Sequence, residues 1–177
     1  MQYCVKNFVV THLTKPIRLN YNRMNKAVNY TYITVGINLL IAVLIFLWLL
    51  TETKNPLKDL VDFILDFPLN FGLGITALFV SSYYIGIKMQ NLICEKKWNS
   101  ILIGMLGLML ILILGVFGGS TVGFVEEGLM RGNNVYDAIV DYYYKPFFWI
   151  LLFGFIPTLI SGGILGGIIK KTCYNNV

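Results

Sequence analysis

Four stretches without a single Asp, Glu, Lys, Arg or His fix what this chain can become: residues 32–50, 69–87, 101–123 and 147–169. Each is about as long as the roughly 20 residues a helix needs to cross some 30 Å of hydrocarbon. In that medium nothing but the chain itself can satisfy backbone N–H and C=O groups, so a run of this kind is read as a helix. Only 13% of the residues are charged and 56% are apolar, against about 25% charged in a typical soluble domain. So few charges could not cover a water-soluble core of this size. The sequence therefore predicts an all-α integral membrane protein of 177 residues, one domain with four transmembrane helices. Residues 1–31 form a basic N-terminal arm, 32–171 the membrane domain and 172–177 a short tail. Its opening residues lack the apolar core and cleavage site of a secretory signal, so no cleaved peptide is expected.

A segment between the first two spans, residues 55–68, returns in altered form at 133–146 between the last two. Leu57, Leu60, Val61, Ile64 and Leu65 map onto Val135, Ala138, Ile139, Tyr142 and Tyr143 at a constant offset, with Asp59 on Asp137 and Pro68 on Pro146. The spacing predicts two short amphipathic helices, each stopping at its proline. Span, short helix, span is then followed by the same order again, a parallel internal repeat. The apolar stripe is expected to rest on the bundle. Asp59, Asp62 and Asp66 share the polar face of the first helix, and Asp137 and Asp141 that of the second.

Basic residues set the orientation. Lys6, Lys15, Arg18, Arg23 and Lys26 precede the first span, Lys88, Lys96 and Lys97 lie between the second and third, and Lys170 and Lys171 follow the fourth. The opposite side carries Lys54, Lys58, Arg131 and Lys145 against Glu52, Glu126, Glu127 and the five aspartates just named. The positive-inside rule places both termini in the cytoplasm of a multi-pass protein of the cell membrane, with both short helices outside. Trp48, Trp98 and Trp149 fall at span ends, where indoles favour the interface. Cys4, Cys94 and Cys173 fall on the cytoplasmic side, where thiols are expected to stay reduced. The basic arm reads as a cytoplasmic leader or as a strip held on anionic headgroups. It matches no nucleic-acid motif, and no nucleic acid is expected as a partner.

Glycines supply the packing signal. Gly115, Gly119 and Gly123 share one face of the third span, and Gly162 with Gly166 and Gly163 with Gly167 repeat the four-residue spacing in the fourth. Small residues let helix backbones approach closely in lipid. Antiparallel geometry keeps these two seams in opposite leaflets, so the fourth span is expected to meet Gly36, Gly86, Gly104 or Gly107, or a second copy of itself. No ionisable group lies within a span, which argues against a proton relay or a coupled carrier acting alone. The polar span residues, among them Thr34, Asn38, Thr76, Ser81, Ser82, Thr121 and Ser161, are expected to bridge helices.

One fragment has a catalytic look. Glu126–Arg131 and the following Gly132, EEGLMRG, resemble the EExxxR motif of the CAAX-protease family of intramembrane proteases. The resemblance implies paired glutamates that activate water, with histidines supplied by downstream motifs. The only histidine here is His12, upstream of the fragment, so those motifs are missing. The alternative for the fragment is a short helix with Glu127 and Arg131 paired one turn apart. The outer aspartates suit a solvated lid, a basic partner or a weak divalent-cation site. With no cofactor and no metal expected, the sequence points to a non-enzymatic membrane protein. Its partners are the lipid bilayer, its own copies or another membrane protein, in an accessory, regulatory or immunity-type role. Immunity proteins against pore-forming toxins are similar in size and span number. A homo-oligomeric pore is the alternative, and a degenerate CAAX-type protease the remote one.

Overall fold

The computed structural model describes the backbone of residues 3–130 and 134–174, and the side chains of residues 26–126, 128–130 and 134–174. Among these residues the chain is helical without a strand: α1 (Tyr3–Leu49), α2 (Pro56–Asp66), α3 (Pro68–Gln90), α4 (Ser100–Gly123), α5 (Val135–Ile139) and α6 (Lys145–Tyr174). Short π-helical turns at Asn91–Glu95, Phe124–Leu129 and Val140–Tyr144 follow α3, α4 and α5. Four helical stretches are long and apolar enough to cross a membrane: Lys26–Leu49, Pro68–Glu95, Ser100–Glu126 and Val135–Tyr174.

The four span-length helices form a ring in which α4 packs against α3 and α6, and α1 closes the other side against the same two. α4 is the central member, with 39% of its most apolar window buried against 6% for α1. The core sits at one end of the bundle, where Met89, Leu108, Ile111, Leu165 and Ile169 are fully buried beside Ala27, Val35, Ile93 and Ile103. We call this the disulfide end and the opposite one the cap end. Elsewhere Leu40, Leu106, Ile156, Ile160 and Ile164 are exposed apolar residues. Continuous apolar surface of that extent is what a lipid-facing wall requires.

Glycine decides how closely the walls approach. A Cβ on Gly104 would collide with the Gly162 carbonyl oxygen, and one on Gly162 would lie 2.8 Å from the Gly104 carbonyl oxygen. One on Gly166 would collide with the carbonyl oxygen of Ser100. Thus α4 and α6 touch backbone to backbone at the disulfide end, and Gly104, one of the named mates, is the one used. Toward the cap end α4 turns Gly115, Gly118 and Gly119 to Leu78, Ala77 and Gly74 of α3. Gly123 leaves room for the Tyr142 ring. Gly163 has only ordinary contact with Ile101, and Gly167 faces open space.

Several sequence expectations need correction. Hydroxyls in the spans do not generally bridge helices. Thr31, Thr34, Thr76, Ser82 and Thr121 each donate to the carbonyl four residues back in their own helix, at 2.6–2.9 Å. That carbonyl is the nearest acceptor for a hydroxyl surrounded by hydrocarbon. Among the described residues two links do cross between elements: Asn38 with Ser161, joining α1 to α6 at 2.8 Å, and the Tyr143 hydroxyl, which donates to Thr121 of α4 at 3.2 Å. Ser161 also donates to the carbonyl of Pro157, 2.7 Å away, and α6 continues unbroken through that proline.

The two related segments also differ. The first stops as expected: Phe67 leaves helical geometry (φ −127°, ψ 52°) and Pro68 opens α3, where its missing N–H is no loss. The second does not stop at Pro146. A π turn at Val140–Tyr144 runs directly into α6, making room for a ring that would otherwise strike the carbonyl four residues back. Most of the apolar stripe of α2 does not rest on the bundle, although Leu60 is half-buried. Leu57 (68%), Val61 (51%) and Leu65 (67%) are exposed, and Phe63 does the docking instead. Its ring stacks on Phe46 at 5.2 Å and meets Phe71 edge-on at 5.6 Å. Because α1 and its basic arm form one helix over Tyr3–Leu49, the backbone has no break at residue 31.

Candidate functional site

The corner between α2 and α3 builds a pocket at the cap end. Phe67 turns the chain there, so Asp66, at the end of α2, and Asn70, in the first turn of α3, lie on either side of it. Across from them, Gly123 ends α4 and the π turn carries Glu126. Tyr142, from the last π turn, packs on the bare backbone of Gly123. Between these groups is a cavity of about 250 Å³, lined by Asp66, Phe67, Pro68, Leu69, Asn70, Gly123, Glu126 and Tyr142. Drug-sized ligands fill pockets of about 300–1,000 Å³. This one has the size of a long side chain, with two carboxylates at its wall and aromatic and proline surface around it.

Of the acidic residues singled out in the sequence, Asp66 lines this cavity. Asp59 is half-buried and Asp62 is exposed on the same helix. Asp137 and Asp141 are exposed, and Asp141 pairs with Lys145 on the surface. So exposed a pair contributes little to stability. Ala138, between these two aspartates, is buried against Gly128 and pins α5 to the preceding π turn. Among the described residues no three His, Cys, Asp or Glu side chains converge as a metal site would need. Of the EEGLMRG fragment, Glu126 faces the cavity. The Glu127 side chain and Arg131, like Asn133 of the second repeat, lie outside the described residues. So do the side chains of residues 1–25 of the basic arm, Cys4 and His12 among them. Sequence reasoning reached Asp66 and Glu126 by separate routes and missed Asn70 and Tyr142 as their neighbours. An amide just inside a span, opposite a glycine at the end of another, was the available signal.

The other end holds a second cluster. Cys94, in the π turn leaving α3, and Cys173, in the last turn of α6, form a disulfide with Cα atoms 5.8 Å apart. This corrects the expectation of separate reduced thiols. The cysteines are 79 residues apart in sequence, and only the antiparallel return of α6 brings them together. Beside them Gln90 is 3% exposed, and its Oε1 has no hydrogen-bond partner among the described residues.

Fold and packing define an all-helical protein with four helices of membrane-spanning length and composition. No protein-family model, no curated protein and no solved structure matches this chain.

Proposed function

We propose that this chain is a polytopic membrane protein that works by binding another protein, in an accessory, regulatory or immunity-type role. It sits in the cell membrane with both termini in the cytoplasm and the cap end outside. The observation that carries this reading is the cap-end cavity, where Asp66 and Glu126 share a space the size of one long side chain. Two carboxylates over aromatic surface suit the aliphatic stem and cationic head of a lysine or arginine from a partner. The surrounding cap is acidic, which favours a basic partner and steers its approach. The exposed stripe of Leu57, Val61 and Leu65 supports the placement of α2 at the outer headgroup boundary, holding the cavity mouth at the membrane surface.

Gentle detergent extraction followed by co-purification tests the reading. A partner retained by the wild type is expected to be lost from the Asp66→Asn/Glu126→Gln double variant, with the chain still folded. Retention by the double variant removes the cavity from the interface. Vesicles loaded with dye separate this from the homo-oligomeric pore, since the proposal expects them to stay sealed at high protein density. A leak there would favour the pore.

A further inference from the structure

The docking reading leaves unused the cluster at the disulfide end. Cys94 and Cys173 lie within the Cα separation that disulfides adopt, at 5.8 Å. Beside them is a cavity of about 10 Å³ lined by Ala27, Gln90, Cys94, Ile169, Thr172 and Cys173. That is about the room of a single water. Gln90, 3% exposed, is among the residues around this space, and no described residue satisfies its acceptor Oε1. A disulfide has no proton to offer it, whereas a thiol does. The Sγ of Cys173 is 3.1 Å from the carbonyl oxygen of Ile169, so its thiol has an acceptor in its own helix. Thr172, also in the lining, donates to the carbonyl of Ile168 at 3.0 Å, so among the described side chains lining the cavity the Cys94 thiol is the remaining donor for Gln90.

We infer that Cys94 and Cys173 are a reversible redox clasp, with Gln90 favouring the open dithiol form. The inference rests on the orientation proposed above, which turns this end to the cytosol and its glutathione. Closing starts when one cysteine thiolate attacks a sulfur of glutathione disulfide and displaces a glutathione thiolate, leaving a mixed disulfide. The second cysteine thiolate then attacks the protein sulfur of that mixed disulfide and displaces the other glutathione. One S–S bond forms in the protein, one breaks in the oxidant, and two electrons pass to it. The two cysteine protons end on the two glutathiones. Opening is the reverse. Closed, the clasp ties the exit of α3 to the end of α6. Open, it releases the turn from Ile169 to Tyr174.

The test uses the full chain with Cys4→Ser, purified in detergent and equilibrated in mixtures of glutathione and its disulfide. Thiols are counted by the gel shift of a polyethylene-glycol maleimide. The midpoint is expected at a glutathione ratio found in a cytosol, and Gln90→Leu is expected to move the equilibrium toward the disulfide by about tenfold. A pair still oxidised in the most reducing mixture, or an equilibrium that Gln90→Leu leaves in place, overturns the clasp. Hydrogen exchange at residues 169–174 needs no variant: reduction should speed it, and unchanged exchange argues against release. Labelling of the reduced pair by an impermeant maleimide added outside intact cells would overturn the orientation, and with it a cytosolic clasp. The purified equilibrium is unaffected by orientation, so the two failures are distinguishable.

Discussion

Adjacent glycines in α6 differ sharply in what they permit. At Gly166 a Cβ would strike the backbone of Ser100, which cannot swing aside as a side chain would, while at Gly167 it would meet nothing within 4 Å. Gly166→Ala is therefore expected to destabilise the bundle by about 1–3 kcal/mol, and Gly167→Ala to change it by less than about 0.5 kcal/mol. Thermal unfolding in detergent compares them directly, and equal midpoints would disprove the close α4–α6 contact. Asn38 makes a second residue-scale case, since its amide both donates to Ser161 and accepts from it. Asn38→Leu should cost about 0.6–2 kcal/mol, and Ser161→Ala on top of it should add little. Additive losses would mean that the two do not act as a pair. The sequence named the small residues and even Gly104 as a mate. It could not say which of Gly162 and Gly163 faces inward, because four-residue spacing marks both faces.

At the scale of elements, α2 shows where pattern reading stops. Its stripe of Leu57, Val61 and Leu65 was legible as apolar, but hydrophobic periodicity identifies a face that avoids water without saying whether protein or lipid covers it. In the structure Phe63, off the stripe, is the attachment. Phe63→Ala should remove aromatic contacts worth about 0.5–1.5 kcal/mol each and loosen α2 without unfolding the bundle. Faster proteolysis between residues 50 and 67, with thermal unfolding otherwise unchanged, is the expected result. Cleavage at the wild-type rate would leave Phe63 without that role. The second repeat diverges for an equally local reason: Pro146 follows a π turn, Pro68 a non-helical Phe67. The sequence shows two prolines at matching places and nothing of the turn before each.

For the whole molecule, the spans were readable because lack of charge over 19 or more residues leaves a chain few alternatives. The cap cavity and the cysteine pair were not, since each joins residues that only tertiary packing brings together. Orientation can be measured by single cysteines in a cysteine-free chain. A cysteine at Lys58 should react with an impermeant maleimide on intact cells, and one at Lys97 only after the membrane is opened. The reverse pattern would invert the molecule. The central claim, that the acidic cap holds a protein partner, is met most directly by photo-crosslinking in living cells from a probe at Leu69, on the cavity wall. One discrete protein adduct is predicted, abolished by Asp66→Asn with Glu126→Gln. Crosslinks to lipid alone, or a protein adduct indifferent to those two changes, would contradict it.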